Sequence, residues 1–198
     1  MKIQLGPKDI IFPVPAALVV SGTYKKPNII TISWIGMMSS SPHIIGISLV
    51  RNRYSFELIN EHKQFSVNIP SSKLFIETDY CGIVSGRNTD KFKDIGFTPI
   101  KSKKIVPPII KECPFNMECV VVHEVPFKTN HVFFGEIVET HIDADKIDGL
   151  KPKDIDISKV DPLVYCATIR EYWSIGKKLG NSFSVGKNMK TKKNKMTA

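Results

Sequence analysis

Three consecutive serines, Ser39–Ser41, followed by Pro42, separate two β-branched apolar runs in the segment NIITISWIGMMSSSPHIIGISL, residues 28–49. Hydroxyls and backbone amides held between two strands by a proline can form a concave set of hydrogen-bond donors. Because small side chains let a ligand approach the backbone, such a loop suits a flat polar heterocycle or an anion. An ordinary serine-rich hairpin loop has the same composition, so this segment alone leaves both interpretations open.

A basic group follows in LVRNRYSFEL, where Arg51 and Arg53 precede a predicted helix that has Tyr54 and Ser55 in its first turn. Free amides, a favourable helix dipole and a guanidinium at one point can form a phosphate site. A solvated basic turn is the alternative.

A third group lies in DYCGIVSGRNTDKF, residues 79–92, where Gly82 and Gly86 permit a tight backbone and Arg87 and Lys91 add positive charge. The sequence has neither a Walker A loop nor a GxGxxG turn. No Ser/His/Asp or Cys/His spacing indicates an activated nucleophile either. Taken alone, this segment is only a loop, and the sequence predicts no catalytic side chain.

The cysteines and histidines do not predict a metal site. The four cysteines are scattered without a CxxC pair, and the five histidines form no HExxH or similar ligand pair. We interpret the cysteines as reduced, partly buried thiols.

Short segments rich in Val, Ile and Phe recur between Gly, Pro, Asn and Ser, as is typical of a β-barrel or a β-sandwich. The predicted strands span residues 16–21, 27–34, 43–50, 64–69, 115–124, 131–140 and 163–170. Short helices are predicted in RYSFELINEHK, after the Ser71–Ser72 pair, and in NTDKFKDIG, which begins with capping residues and ends at Gly96. The sequence thus predicts a mainly β protein with a few short helices.

Most of the net charge of +9 lies at the C-terminal end. Seven lysines and no acidic residue lie between Tyr172 and Ala198, which leaves a net charge of +2 for the first 171 residues. We predict one domain over residues 1–180 and a basic tail over 181–198. No apolar run approaches the ~20 residues of a membrane-spanning helix, and Pro and Asp break any signal-like stretch near the start, so we expect a cytoplasmic protein.

Taken in order, these segments resemble the flavin reductase-like, FMN-binding split-barrel family, and in particular its flavoredoxin branch. The resemblance runs from about Phe12 to Gly186. It is carried by Pro13 and Pro15, PNIITISW with SSSPHIIGISL, QFSVNIP, DYCGIVSGRNTDKF, NHVFFGEIVE, and REYWSIGKKLGNSFSVGK.

The resemblance implies a Greek-key split β-barrel and a homodimer that holds FMN noncovalently near the subunit interface. Asn28 and Trp34 match positions that line the flavin, and Ser39, Ser40 and Ser41 would serve the isoalloxazine rim. The resemblance further implies that Arg51 and Ser55 serve the ribityl phosphate, that Lys91 adds charge there, and that His131 and Tyr165 are flavin-site positions.

One departure affects the expected electron donor. Relatives that reduce free flavin with NAD(P)H carry Gly-Asp-His where this chain has Thr129, Asn130 and His131. This departure counts against direct reduction of the flavin by a nicotinamide. From the resemblance as a whole we expect an FMN-dependent oxidoreductase or electron carrier, with NADH or NADPH as candidate donors and a redox protein or small molecule as acceptor. The alternatives are a flavin-binding protein without turnover and an OB-like nucleic-acid-binding barrel. Apolar strands and charge concentrated in the tail disfavour the latter.

Overall fold

The computed structural model describes residues 1–188, so the predicted tail lies outside it from residue 189 onward. The strands are β1 (Val14–Pro15), β2 (Ala17–Thr23), β3 (Lys26–Ile32), β4 (Ile35–Ser40), β5 (His43–Val50), β6 (Gln64–Ile69), β7 (Pro99–Ile100), β8 (Ile109–Ile110), β9 (Phe115–Pro126), β10 (Asn130–Ile142), β11 (Val164–Cys166) and β12 (Glu171–Trp173). The helices are α1 (Tyr54–His62), α2 (Phe75–Ile83), α3 (Lys91–Ile95) and α4 (Ile157–Val160), together with four short 3₁₀ segments. The predicted mainly β class is confirmed.

A seven-stranded antiparallel sheet in the order β3-β2-β6-β9-β10-β5-β4 dominates the fold. Strands β3 and β4 lie at its two opposite edges, yet only Ser33 and Trp34 separate them along the chain. The sheet must therefore curl until its edges approach each other, and the two residues span the resulting seam. The Ser48 amide donates to the Trp34 carbonyl at 2.9 Å, which continues the pairing of β4 with β5 by one residue.

Alternating side chains of the sheet enter two separate apolar clusters, because successive strand residues point to opposite faces. On β2, Ala17 and Val19 belong to one cluster, whereas Leu18 and Val20 belong to the other. The first cluster fills the inside of the curled sheet and also contains Ile47, Ile59, Phe65, Val67 and Phe133. The second contains Ile29, Cys81, Phe92, Phe97 and Ile110, so it anchors α2 and α3 against the outer face of β2 and β3.

The capping prediction for α3 is confirmed. The Asp90 carboxylate accepts a hydrogen bond from the Lys93 amide, and Gly96 ends the helix at φ +71°. An aspartate at the start and a left-handed glycine at the end are common helix boundaries. These caps fix the position of Lys91 in the first turn.

Two strand predictions were wrong. The serine segment was predicted to be a loop, but Ser39 and Ser40 belong to β4, and only Ser41 and Pro42 form the turn to β5. The segment pairs with β5 through a register shift between Met37 and Ser39. This bulge interrupts the alternation of side chains between the two faces of the sheet, by which a strand is recognised in a sequence. The last predicted strand, 163–170, stops at Cys166 because the chain turns back into β12, with Arg170 at φ 58°.

Glu118 on β9 is fully buried although its strand pattern places it on a polar face. Its carboxylate accepts hydrogen bonds from the amides of Lys103 (2.9 Å) and Lys104 (2.7 Å), and the His141 imidazole lies 2.7 Å away. Burial alone would raise the pKa of this carboxyl, but the three partners hold the pKa below its usual range. Glu118 thus fastens the 101–106 loop to the sheet.

Within the part of the chain that the structure describes, no helix is both long and apolar enough to cross a membrane.

Candidate functional site

A groove follows the seam between the two edges of the sheet. It has a volume of about 250 Å³ and is lined by Ile30–Trp34 on the β3 side and by Ser48, Leu49 and Val50 on the β5 side. Arg53, Gly82 and Asn130 complete its wall. The Trp34 side chain is 45% exposed, so the groove has an aromatic surface that a flat ring could contact.

A smaller cavity of about 210 Å³ continues the groove toward the start of α1. Ile30, Arg53 and Gly82 line both spaces. Asn28 and Ser55 are buried at this end, and the Asn28 Nδ2 atom donates to the Ser55 hydroxyl at 2.6 Å. The Asn28 Oδ1 atom is also buried, but it accepts no hydrogen bond from the described residues. The chain itself covers this oxygen, so it is not open to a ligand.

Lys91 brings a buried positive charge to the same cavity. Its side chain is 5% exposed, and its Nζ atom donates to the carbonyls of Ile29 (2.8 Å) and Cys81 (2.7 Å). Burial lowers the pKa of this ammonium from 10.5 to about 8. The described residues supply no carboxylate partner for it, so an anion in the cavity would stabilise its charge.

The first turn of α1 adds amide donors at this point. Arg53 is the N-cap residue, and no side chain caps the helix, so the Tyr54 and Ser55 amides lack an intrahelical partner. The Arg53 side chain lines the cavity and makes no ion pair or hydrogen bond with the described residues. Together with Lys91, these groups form an arrangement suited to a phosphate ester.

The 84–90 loop covers the cavity and is fastened to α1 by Arg87. The Arg87 guanidinium pairs with Glu57, donates to the Asn52 carbonyl at 3.1 Å, and lies 5.4 Å from the centre of the Tyr54 ring. Gly86 packs directly against Asn28, since a Cβ atom there would lie 1.8 Å from Asn28 Oδ1. Glycine is therefore required for the loop to close over this end.

A third space, of about 220 Å³, opens on the other side of β3 and shares Thr31, Ser33 and Gly82 with the groove. Tyr165 and Tyr172 line it, with ring centres 5.1 Å apart. The Tyr172 hydroxyl donates to Asp79 at 3.1 Å. Burial and this bond raise the pKa of the Tyr172 phenol, so the phenol stays protonated.

The structure brings part of the predicted site together. Asn28, Ser55 and Lys91 line one cavity, Trp34 lines the adjoining groove, and Tyr165 lines the neighbouring space. Their contact with a flavin stays a prediction, but their proximity is what such a ligand requires.

The remaining predicted residues lie apart from these spaces. Ser39, Ser40 and Ser41 lie at the β4–β5 hairpin, where the Ser41 amide donates to the Ser39 hydroxyl at 3.2 Å. Arg51 donates to the Phe127 carbonyl at 3.0 Å. The His131 ring packs against Phe56 and Phe133, and its Nε2 atom lies 3.1 Å from Glu124. The described chain alone does not place these five residues on the groove.

Sequence reasoning left Asn130 and Ser48 out of the site. It considered both Arg51 and Arg53 for a phosphate at the helix start, but it assigned Arg51 to the flavin site, whereas Arg53 is the one that lines the cavity. Asn130 lies in the groove wall, where its Nδ2 atom donates to the Ser48 hydroxyl at 3.2 Å. Ser48 carried no signal, since only the pairing of β5 with β10 brings it to the seam.

The chain is similar to known proteins in both sequence and fold. A sequence model of the Flavin reductase like domain matches residues 10–174. Flavoredoxin of Desulfovibrio vulgaris (Miyazaki F) is 33% identical, with a TM-score of 0.86 over 94% of this chain and 100% of that one. Flavoredoxin from Methanosarcina acetivorans is also 33% identical, with a TM-score of 0.87 over 96% and 99% of the two chains. An uncharacterized protein of Archaeoglobus fulgidus is 37% identical over 139 residues, 70% of this chain and 78% of its own.

The predicted split-barrel fold is confirmed by these structures. The groove lies along the seam between β3 and β4, and the cavity with the buried Lys91 continues it. The chain therefore belongs to the flavin reductase-like family.

Proposed function

We propose that this protein holds FMN noncovalently in the seam groove and acts as an oxidoreductase or electron carrier. The observation that carries the proposal is the combination of a buried lysine and a helix start at one end of the groove with an exposed indole at the other. Lys91, Arg53 and the first amides of α1 would hold the phosphate. Asn28 and Ser55 would lie beside the ribityl chain, and Trp34 would lie against the ring.

The dimensions of the site fit the mononucleotide. Asn28 and Ser33 are five residues apart on or next to β3, a span of about 16 Å in an extended strand, comparable to an extended FMN. The terminal cavity of about 210 Å³ is closed by Gly86 and the 84–90 loop. It has room for a phosphate monoester and little room for the second nucleotide of FAD.

Bound FMN would supply the transfer of a hydride or of single electrons, since the chemistry of such proteins belongs to the cofactor. The role of the chain is to orient the ring and to set the polarity around it. The hydroxyls of Ser33 and Ser48 and the amide of Asn130 are the polar groups of the groove wall. Donors beside a flavin stabilise negative charge that develops on reduction.

The pH dependence of FMN affinity tests the proposal. Lys91 is charged below its pKa of about 8 and neutral above it. Because the phosphate dianion stabilises only the charged form, affinity should be highest below pH 8 and fall above it by up to about tenfold per pH unit. We expect this fall in equilibrium titrations of flavin-free protein with FMN between pH 7 and pH 9.5.

Riboflavin, which lacks the phosphate, is the matched control and should bind with little change over the same range. Equal pH profiles for FMN and riboflavin would show that Lys91 does not hold the phosphate.

The stability of the flavin-free protein should change with pH in the direction opposite to the FMN affinity. Its folded lysine loses a proton near pH 8 and its unfolded lysine only near 10.5, so the free energy of unfolding should rise between these values.

The electron donor and acceptor belong to the same proposal. Asn130 stands where relatives that reduce free flavin with NAD(P)H resemble one another in carrying Asp, which favours a carrier fed by a redox protein over direct reduction by NADH or NADPH. Bleaching of the bound flavin by either nicotinamide would identify a reductase. A bound flavin that neither NADH nor NADPH reduces would identify a carrier or a binding protein without turnover.

We also propose a cytoplasmic homodimer. A single chain leaves Trp34 and the edge of β4 open to solvent, with Met37 and Met38 more than half exposed. A second subunit could cover this edge and narrow the groove. Gel filtration of FMN-loaded and flavin-free protein over a range of concentrations would show whether the chain self-associates.

A further inference from the structure

The cavity at the phosphate end of the groove lies between walls from different parts of the chain. Residues 52–55, at the start of α1, form one wall, and residues 84–87, in the loop between α2 and α3, form another. Arg87 joins these walls, because its guanidinium donates to the Asn52 carbonyl at 3.1 Å, pairs with Glu57 and lies 5.4 Å from the centre of the Tyr54 ring. We call these three contacts the Arg87 clasp.

Apart from the clasp, the tip of the loop is held only loosely. Both of its ends are anchored, since α2 and α3 pack into the second apolar cluster. Among the described residues, the backbone of 85–88 makes hydrogen bonds only within the tip, from the Asn88 amide to the Ser85 carbonyl (3.1 Å) and from the Arg87 amide to the Ser85 hydroxyl (3.4 Å). The tip can therefore swing away from α1 as a unit once the Arg87 side chain lets go.

The contacts of the clasp are independent of any ligand. Its three partners belong to the chain, and Glu57 does not line the cavity. Contacts that contribute equally to the free and the bound protein leave the binding equilibrium unchanged. If the loop must open before a phosphate enters or leaves, however, the same contacts slow both steps by the same factor.

We propose that the Arg87 clasp encloses the phosphate of FMN, so that FMN stays with the protein as a resident group and exchanges only when the 84–90 loop opens. The inference rests on the proposed FMN function and deepens it, since it favours a carrier over an enzyme that reduces FMN and releases it. The existence of the clasp does not depend on FMN.

The expected effect of the clasp on exchange is moderate. Arg87 and Glu57 are both exposed, and an exposed ion pair contributes little by itself. The clasp adds a hydrogen bond to a carbonyl and a cation–π contact to this pair. We expect its loss to accelerate FMN exchange by about tenfold.

A different role for Arg87 would be that of a direct phosphate ligand, because its side chain also lines the cavity. Two substitutions of opposite charge separate the roles. Glu57→Ala removes a negative charge near the phosphate and Arg87→Gln removes a positive one, so an electrostatic effect would slow FMN release in the first and accelerate it in the second. Loss of the clasp should accelerate release in both.

The first measurement follows exchange of the bound flavin. FMN-loaded protein is mixed with an excess of isotopically labelled FMN, separated from free flavin at set times and analysed by mass spectrometry. Glu57→Ala and Arg87→Gln should each exchange about tenfold faster than the wild type, and their equilibrium FMN affinities should change by less than about threefold. Glu61→Ala is the matched control, since it removes the same charge from an exposed position one turn further along α1, and it should exchange at the wild-type rate.

Four results would overturn the proposal. They are opposite changes of the exchange rate in Glu57→Ala and Arg87→Gln, a fall in affinity as large as the rise in release rate, rates unchanged by both substitutions, and complete exchange in the wild type before the first sample is separated. Both substituted residues are exposed, so the variants should fold.

A second measurement tests the clasp without FMN. Trypsin cleaves after an arginine only when the arginine side chain enters its specificity pocket, which the closed clasp prevents. When opening and closing are fast, cleavage follows the population of the open form. In the flavin-free protein, mass spectrometry should show cleavage between Arg87 and Asn88 about tenfold faster in Glu57→Ala than in Glu61→Ala.

Equal cleavage of Glu57→Ala and Glu61→Ala would overturn the clasp. Faster cleavage of Glu57→Ala in a protein that takes up no FMN would uphold the clasp and refute the proposed function instead.

Discussion

Replacing Lys91 by Met should lower the affinity for FMN by about 100-fold or more, since a charge-assisted hydrogen bond to a buried group contributes about 1.5–3 kcal/mol and the lysine can offer the phosphate more than one contact. The side chain is 5% exposed and lies in the cavity that holds Asn28 and Ser55. Methionine has a similar shape and no charge. The measurement is an equilibrium FMN titration at pH 7, below the lysine pKa of about 8.

The same substitution should have little effect on the flavin-free protein. It removes donors from the Ile29 and Cys81 carbonyls, which destabilises the fold, and it also removes a charge that is costly to bury, which stabilises it. Lys93→Met, on the exposed side of α3, is the matched control and should retain FMN. Wild-type FMN affinity in Lys91→Met would show that the phosphate lies elsewhere.

Glu118→Ala should destabilise the protein by about 3 kcal/mol, because it leaves the amides of Lys103 and Lys104 without their buried acceptor. For a chain of this length that corresponds to a fall of about 10 °C in the melting temperature. Thermal unfolding of the flavin-free protein at pH 7 is the measurement. Glu139→Ala is the control, since Glu139 lies opposite Glu118 in the β9–β10 ladder and is only partly buried.

The loss of stability caused by Glu118→Ala should be smaller at acid pH. The folded pKa of Glu118 is depressed, so its contribution is present above the unfolded pKa of about 4.5 and is lost as the pH falls through the folded value. A penalty below about 1 kcal/mol at pH 7, or one no larger than that of Glu139→Ala, would contradict a structural role for the carboxylate.

Local signals in the sequence were sufficient where neighbouring residues determine the structure. The caps at Asp90 and Gly96 predicted α3, and the β-branched runs predicted β2, β3, β5, β6, β9 and most of β10. Lys91 could be assigned to the site because the family motif and the helix start coincide. These features depend on contacts within a few residues along the chain.

Features that depend on distant pairing were missed. The bulge in β4 hid that strand, and the serines were therefore predicted to be a loop. Arg51 and Arg53 are two residues apart, and only the turn into α1 decides that Arg53 faces the cavity while Arg51 binds the Phe127 carbonyl. Glu118 is buried because the 101–106 loop and His141 return to it from other parts of the chain.

The most direct test of the central claim, that the seam between β3 and β4 binds FMN, is a titration of flavin-free Trp173→Phe protein with FMN that follows Trp34 fluorescence together with flavin absorbance. The account predicts saturable quenching of Trp34 with one FMN bound per chain. Failure to take up FMN, or binding that leaves Trp34 emission unchanged, would contradict it.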